Sequence, residues 1–232
     1  MAAAETSTQT PSSLTADEKT TIRGKKLGLY RWPAIIREWN FKEDLLLWKE
    51  KYQEFLAETV PSYDFPSDRM RPCTQESDVH HWWYVMVAAP LNIVLRNGIK
   101  AVMFPVEADL TPDFGFVGDG KVKLAGNIKC PWHMLAKGPA TAPDFMIRKS
   151  SIHQALAQLY GFMDNNECRY GVLTTYTFTW FVKQSGVKGE LLISPPISYN
   201  NSSPTLFESY FYLVCELEET GFRYDKSVEN LA

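Results

Sequence analysis

DFGFVGDGKVKLAGNIK, residues 113–129, holds two short apolar runs on either side of Gly118-Asp119-Gly120. Glycine reaches the positive φ angles that a tight connection between strands requires, so the stretch predicts a β-hairpin. Alternate residues of a strand share a face. Asn127 and Lys129 therefore project together, while Ile128 points the other way into apolar packing. A hairpin also brings the strand of Asp113 beside theirs, in a register that one sequence leaves open.

The pattern on both sides of the hairpin alternates between helix and strand signals. On the N-terminal side, Leu45, Leu46, Trp48, Tyr52, Phe55 and Leu56 recur at near-helical spacing over the second half of residues 31–58. Pro61, Pro66 and Pro72 then mark a loop, because each removes a backbone donor and restricts the residue before it. A second helix is predicted from Thr74, with Glu76 and Asp78 in its first turn where the helix dipole favours negative charge. Pro90 divides or kinks it, and Asn97-Gly98 ends it. The run IKAVMFPVEA reads as a strand leading to the hairpin. On the C-terminal side, Ile152, Leu156, Leu159, Tyr160 and Met163 lie on one helical face. RYGVLTTYTFTWFVKQ and GELLISPPIS each read as a strand. Leu206, Tyr210, Leu213, Val214 and Leu217 form the stripe of a closing helix. The expected fold is α/β (α+β), a central mixed sheet flanked by helices. Residues 1–25, rich in Ser, Thr and Ala, read as a disordered lead-in, with one domain over 26–232.

Composition narrows the classes. The chain has 232 residues, 45% hydrophobic and 22% charged, the balance of a folded globular protein. A net charge of −3 and a pI near 5.9 exclude a protein that coats nucleic acid through bulk charge, and leave room for a local basic groove. Cys73, Cys130, Cys168 and Cys215 are far apart with no C-x-x-C pair, which excludes a zinc-ligand spacing and a dense disulfide framework. They read as reduced thiols of an intracellular protein, cytoplasmic or nuclear. No conventional signal segment is seen at the N-terminus. The longest apolar stretch, WWYVMVAAPLNIVL, is too short to span a bilayer and contains a proline, so no membrane association is expected.

The polar residues of the hairpin suit phosphodiester chemistry. Hydrolysis of that bond needs a divalent cation to gather charge on the phosphoryl oxygens and to help deprotonate water, and Mg2+ takes oxygen ligands. Asp113 and a second acidic residue would supply them. A lysine beside the cation can orient the attacking water or stabilise the added negative charge, and Lys129 has that position.

Pro112-Asp113 followed by Asn127-Ile128-Lys129 resembles the PD-(D/E)XK nuclease superfamily, whose members place an Asp, an acidic residue and a Lys on adjoining strands of a restriction-endonuclease-like core. The later block AQLYGFMDNNECRYGVLTTYTFTWFV resembles the helix and strand that follow the motif in fungal nuclease-like domains, including those joined to kinase-like domains or found in Crinkler-type effectors. The resemblance covers about residues 74–217. It implies Asp113, Asn127, Lys129 and Gln158 as catalytic candidates, and Glu76, Asp113 and Asn127 as ligands of Mg2+ or Mn2+. The implied partners are nucleic acid, DNA ahead of RNA, and a kinase-like domain.

Asn127 departs from the pattern, standing where Asp or Glu is expected. Its amide oxygen can coordinate a cation but brings no charge, so metal affinity and water activation should fall. Glu76, on the preceding helix, is the first candidate to compensate. Glu107 and Asp109 come next. Gln158 could bind a phosphate, the water shell of a cation or Lys129, supported by Tyr160; the plainer reading is an amide on a helix surface. Pro143-Asp144 follows Lys129, the wrong order for the motif, and reads as a turn.

Other signals have structural readings. Adjacent residues on a helix point about 100° apart, so His80 and His81 do not converge on a metal. Trp132, Tyr176 and Trp180 read as packing residues ahead of base stacking. Lys137, Arg148 and Lys149 read equally as a phosphate-binding rim or a solvated loop.

Overall fold

The computed structural model describes residues 31–53, 73–95, 98–104, 112–131, 139–147, 150–175 and 177–219. The lead-in over 1–25, Phe55, Leu56, Pro61, Pro66, Pro72, Asn97, Glu107, Asp109, Trp132, Lys137, Arg148, Lys149 and Tyr176 lie outside these residues.

The described chain runs β1 (Ile35–Glu38), α1 (Phe41–Lys51), α2 (Glu76–Trp83), a π-helical turn (Tyr84–Ala88) and α3 (Ala89–Val94). Strands β2 (Lys100–Met103), β3 (Phe114–Gly118) and β4 (Lys121–Ile128) follow, then the helices α4 (Ala142–Phe145) and α5 (Ser151–Asn165). Strands β5 (Tyr170–Thr174), β6 (Phe178–Gln184), β7 (Glu190–Ile193) and β8 (Ile197–Ser198) lead to α6 (Leu206–Glu219). The eight described strands form one mixed sheet of order β1-β7-β6-β5-β4-β3-β2, with β8 paired to β6. Helices flank it, as expected of an α+β central-sheet fold.

The hairpin stands as read. Asp119 and Gly120 take φ angles of 51° and 69°, both left-handed, which suits the twist of the strands they join. β2, β3 and β4 pair antiparallel in turn, α5 crosses over, and β5 returns parallel to β4. Phe114 pairs with Gly126, and a Cβ on Gly126 would lie 2.2 Å from the Phe114 ring, so only glycine lets the ring cross β4 there.

The two faces of the sheet carry separate apolar clusters. Phe114, Phe116, Leu124, Ile128, Tyr170, Val172 and Phe181 pack against α1, α2 and α6. Ala125, Leu173, Trp180, Val182, Leu191 and Ile193 pack against α4 and α5. Each fully buried aromatic or branched side chain contributes about 1.5–3 kcal/mol.

The sequence reading is corrected in several places. RYGVLTTYTFTWFVKQ is two strands, because the chain reverses between Thr174 and Phe178 with Thr175 N–H donating to Phe178 O at 2.8 Å. GELLISPPIS likewise divides into β7 and β8. β1 has no strong alternation and is made by pairing parallel to β7, with Ile36 beside Leu191. The second helix is capped at Gln75, with Thr74 and Gln75 N–H donating to Asp78, and it stops at Val94. Its π turn lies just before Pro90, which can offer no N–H to the preceding turn. Pro143-Asp144 belongs to α4, a single helical turn with a Thr141/Asp144 capping box. Among the described residues no helix is long and apolar enough to cross a membrane.

Candidate functional site

Strand alternation brings the candidate residues to one face. Phe114 and Ile128 both lie in the cluster under α2 and α6, so their neighbours Asp113 and Lys129 fall on the α5 side. Asn127 shares that side and is fully buried. The register Phe114↔Gly126 sets Asp113 opposite Asn127. Asp113 is tied down twice: its N–H donates to Gly126 O at 2.9 Å, and its carboxylate Oδ2 accepts from Ile128 N–H at 2.7 Å. The other carboxylate oxygen, Oδ1, has no hydrogen-bonding partner among the described residues.

Lys129 follows the last residue of β4, and its N–H donates to Thr174 O at 2.9 Å, continuing the ladder to β5. The lysine is half-buried and has no ion pair among the described residues.

Gln158 is no surface amide. It is buried on α5, and its Oε1 accepts from Asn127 Nδ2 at 3.3 Å. The same Nδ2 donates to Ala155 O at 3.2 Å. Asn127 Oδ1 is buried without any hydrogen-bond partner among the described residues. Tyr160 is half-buried and packs against the α5-side cluster.

Glu76 stands elsewhere. Val79, Trp82 and Trp83 place α2 on the opposite face from Asn127, and Glu76 Oε1 lies 3.8 Å from His80 Nε2. A share in the site requires its side chain to reach round the strand ends. His80 and His81 stay on that helix, and Trp180 is a packing residue whose Nε1–H donates to Ala140 O at 2.8 Å.

A cation fits part of this donor set. Among the described residues no three His, Cys, Asp or Glu side chains lie close enough to hold a metal, but Asp113 with Asn127 and Glu76 includes only two such residues. The unpartnered, buried Asn127 Oδ1 is the feature that suits a hard cation or a water, since a buried acceptor left empty costs about 1–3 kcal/mol. Two groups in this arrangement were missed by sequence reasoning: the carbonyls of Ala155 and Thr174. Both are backbone atoms, so residue identity carried no signal for them. None of the four cysteines forms a disulfide, and Cys130 and Cys168 are buried. Burial pushes the Cys168 and Cys215 thiols up to about 12.

No protein-family model, curated protein or solved structure matches the chain.

Proposed function

We propose that this chain is a PD-(D/E)XK nuclease-like domain that binds nucleic acid and hydrolyses a phosphodiester with Mg2+ or Mn2+, at a rate reduced by Asn127. The observation that carries the reading is the alignment of Asp113, Asn127 and Lys129 on one face of two adjoining strands, with Asn127 Oδ1 buried and unpartnered. Asp113 and Asn127 would hold the cation; Glu76, on the opposite face of the sheet, is left out of the ligand set. When bound, that cation supplies charge neutralisation on the phosphoryl oxygens and a more acidic water. Asp113 is kept in place by the Ile128 N–H and offers its second oxygen. Lys129 offers an ammonium to the developing negative charge. DNA is placed ahead of RNA, with a kinase-like domain as partner. The free thiols support a reducing compartment, cytoplasm or nucleus.

Incubation of the full chain with single- and double-stranded DNA and RNA in Mg2+ or Mn2+ tests the proposal. Slow, cation-dependent cleavage that Asp113→Ala lowers by at least about 100-fold is expected, in line with loss of a group that acts on the reacting phosphate. No cleavage by the native chain sinks the enzymatic reading.

A second reading is a pseudo-nuclease that keeps the fold and serves as a binding module. It is favoured by the two hydrogen bonds from Asn127 to α5, which make the amide a structural pin. Salt-dependent DNA binding without cleavage is its expected signature.

A further inference from the structure

The carboxamide of Asn127 is used asymmetrically. Its Nδ2 has two protons and two acceptors, Ala155 O at 3.2 Å and Gln158 Oε1 at 3.3 Å, whereas Oδ1 has no partner among the described residues. Turning the amide over would set Oδ1 against the Ala155 carbonyl, acceptor against acceptor, and would bury the N–H2 group away from both. The carbonyl therefore settles which end of the amide is which. Ala155 lies within α5, and its carbonyl is shared with the helix, so it is a weak anchor alone. Gln158, 6% exposed and one turn further on, supplies the second acceptor.

We propose that Gln158 is a positioning residue: by accepting from Asn127 it holds the carboxamide so that Oδ1 is presented to an electropositive ligand, a hard divalent cation or a water. The inference rests on the reading above for the cation, but its geometric half stands independently. Gln158 thus acts on the site through Asn127, without touching phosphate or metal. This role differs from both of its sequence-based readings. Groups that orient a metal ligand typically change affinity by about 10–100-fold when removed.

The test compares the full chain with Gln158→Met, which removes the acceptor at similar volume, and Gln158→Glu, which keeps one. In the 15N-labelled native chain the Asn127 side-chain amide protons, assigned by triple-resonance NMR, should exchange slowly with solvent. Gln158→Met should speed that exchange, and Gln158→Glu should preserve it. Mn2+ binding followed by electron paramagnetic resonance should weaken about tenfold or more in Gln158→Met and be retained in Gln158→Glu. A packing role alone would disturb both variants alike and would not be rescued by the glutamate. Freely exchanging Asn127 amide protons in the native chain overturn the proposal, and this measurement holds even if Gln158→Met does not fold. So does a Gln158→Met chain whose exchange and Mn2+ affinity equal the native ones. Slow native exchange that is lost in Gln158→Met, together with no Mn2+ binding by the native chain, upholds the positioning role with a water on Oδ1 and sinks the cation reading instead.

Discussion

At position 127 an amide does what a carboxylate could not. Asn127 donates to two oxygens of α5 from a fully buried site, and an aspartate there would face both as a third acceptor. Burial and the two acceptors it faces, Ala155 O and Gln158 Oε1, raise the folded pKa of such an acid above its unfolded value of about 3.9. Below that value the acid is protonated in both states, and no ionisation penalty applies. As pH rises from there to the folded pKa the unfolded chain loses its proton first, so the penalty grows and then levels. Asn127→Asp should therefore be less stable than the native chain at pH 8, on the order of 2–3 kcal/mol, with a smaller gap near pH 4.5. Urea unfolding at the two pH values measures this; equal stability at pH 8 would show that the amide donor is dispensable. Asn127 was legible as the departure from an acidic motif. Its partners were not, because a backbone carbonyl has no letter in the sequence.

Among the elements, the hairpin was the most legible feature, since Gly118-Asp119-Gly120 supplies residues able to take the left-handed φ angles its turn requires. The helices with a 3.6-residue apolar stripe were legible too, although their caps at Gln75 and Ser150 were not read. β2, by contrast, is finished by a neighbour. Asn92, at the end of the preceding helix, accepts from Ala101 N–H at 2.8 Å and donates to Ala101 O at 3.0 Å, closing the outer edge of the sheet. Ala101 is buried, so losing these partners strands two backbone groups. Asn92→Ala should cost about 1–2 kcal/mol and should speed amide exchange at Ala101 without changing that of β5. Unchanged exchange at Ala101 would mean that the edge does not depend on Asn92. The division of RYGVLTTYTFTWFVKQ into β5 and β6 was illegible because its turn, around Thr175, has no Gly or Pro to announce it.

Across the whole molecule, packing on the α2/α6 face reaches the end of the sheet that carries the candidate site. Tyr210 of α6, fully buried, accepts from Trp83 Nε1–H of α2 at 3.1 Å, beside the Thr174 and Thr179 hydroxyls of β5 and β6. Burial holds its phenol well above the usual range, so it stays a neutral donor and acceptor throughout. Thr174 in turn gives its carbonyl to the Lys129 N–H. One hydroxyl thus joins α6 to α2 beside the strand that supports Lys129. Tyr210→Phe should lower stability by about 1–3 kcal/mol through the stranded Trp83 N–H, with the dependence on denaturant unchanged. A stability equal to that of the native chain would remove Tyr210 from this role.

Local rules were enough for the two-residue turn, the helices with apolar stripes, and the alternation that puts Asn127 and Lys129 on one face. These depend on neighbours within a few positions, where φ preferences and periodicity act directly. Long-range packing, by contrast, set α5 over Asn127 and α2, with Glu76, over the other face, and made Ile36 a strand residue by pairing it with Leu191. Such choices depend on which apolar faces meet across distant parts of the chain and on backbone oxygens common to every residue. No local pattern encodes them.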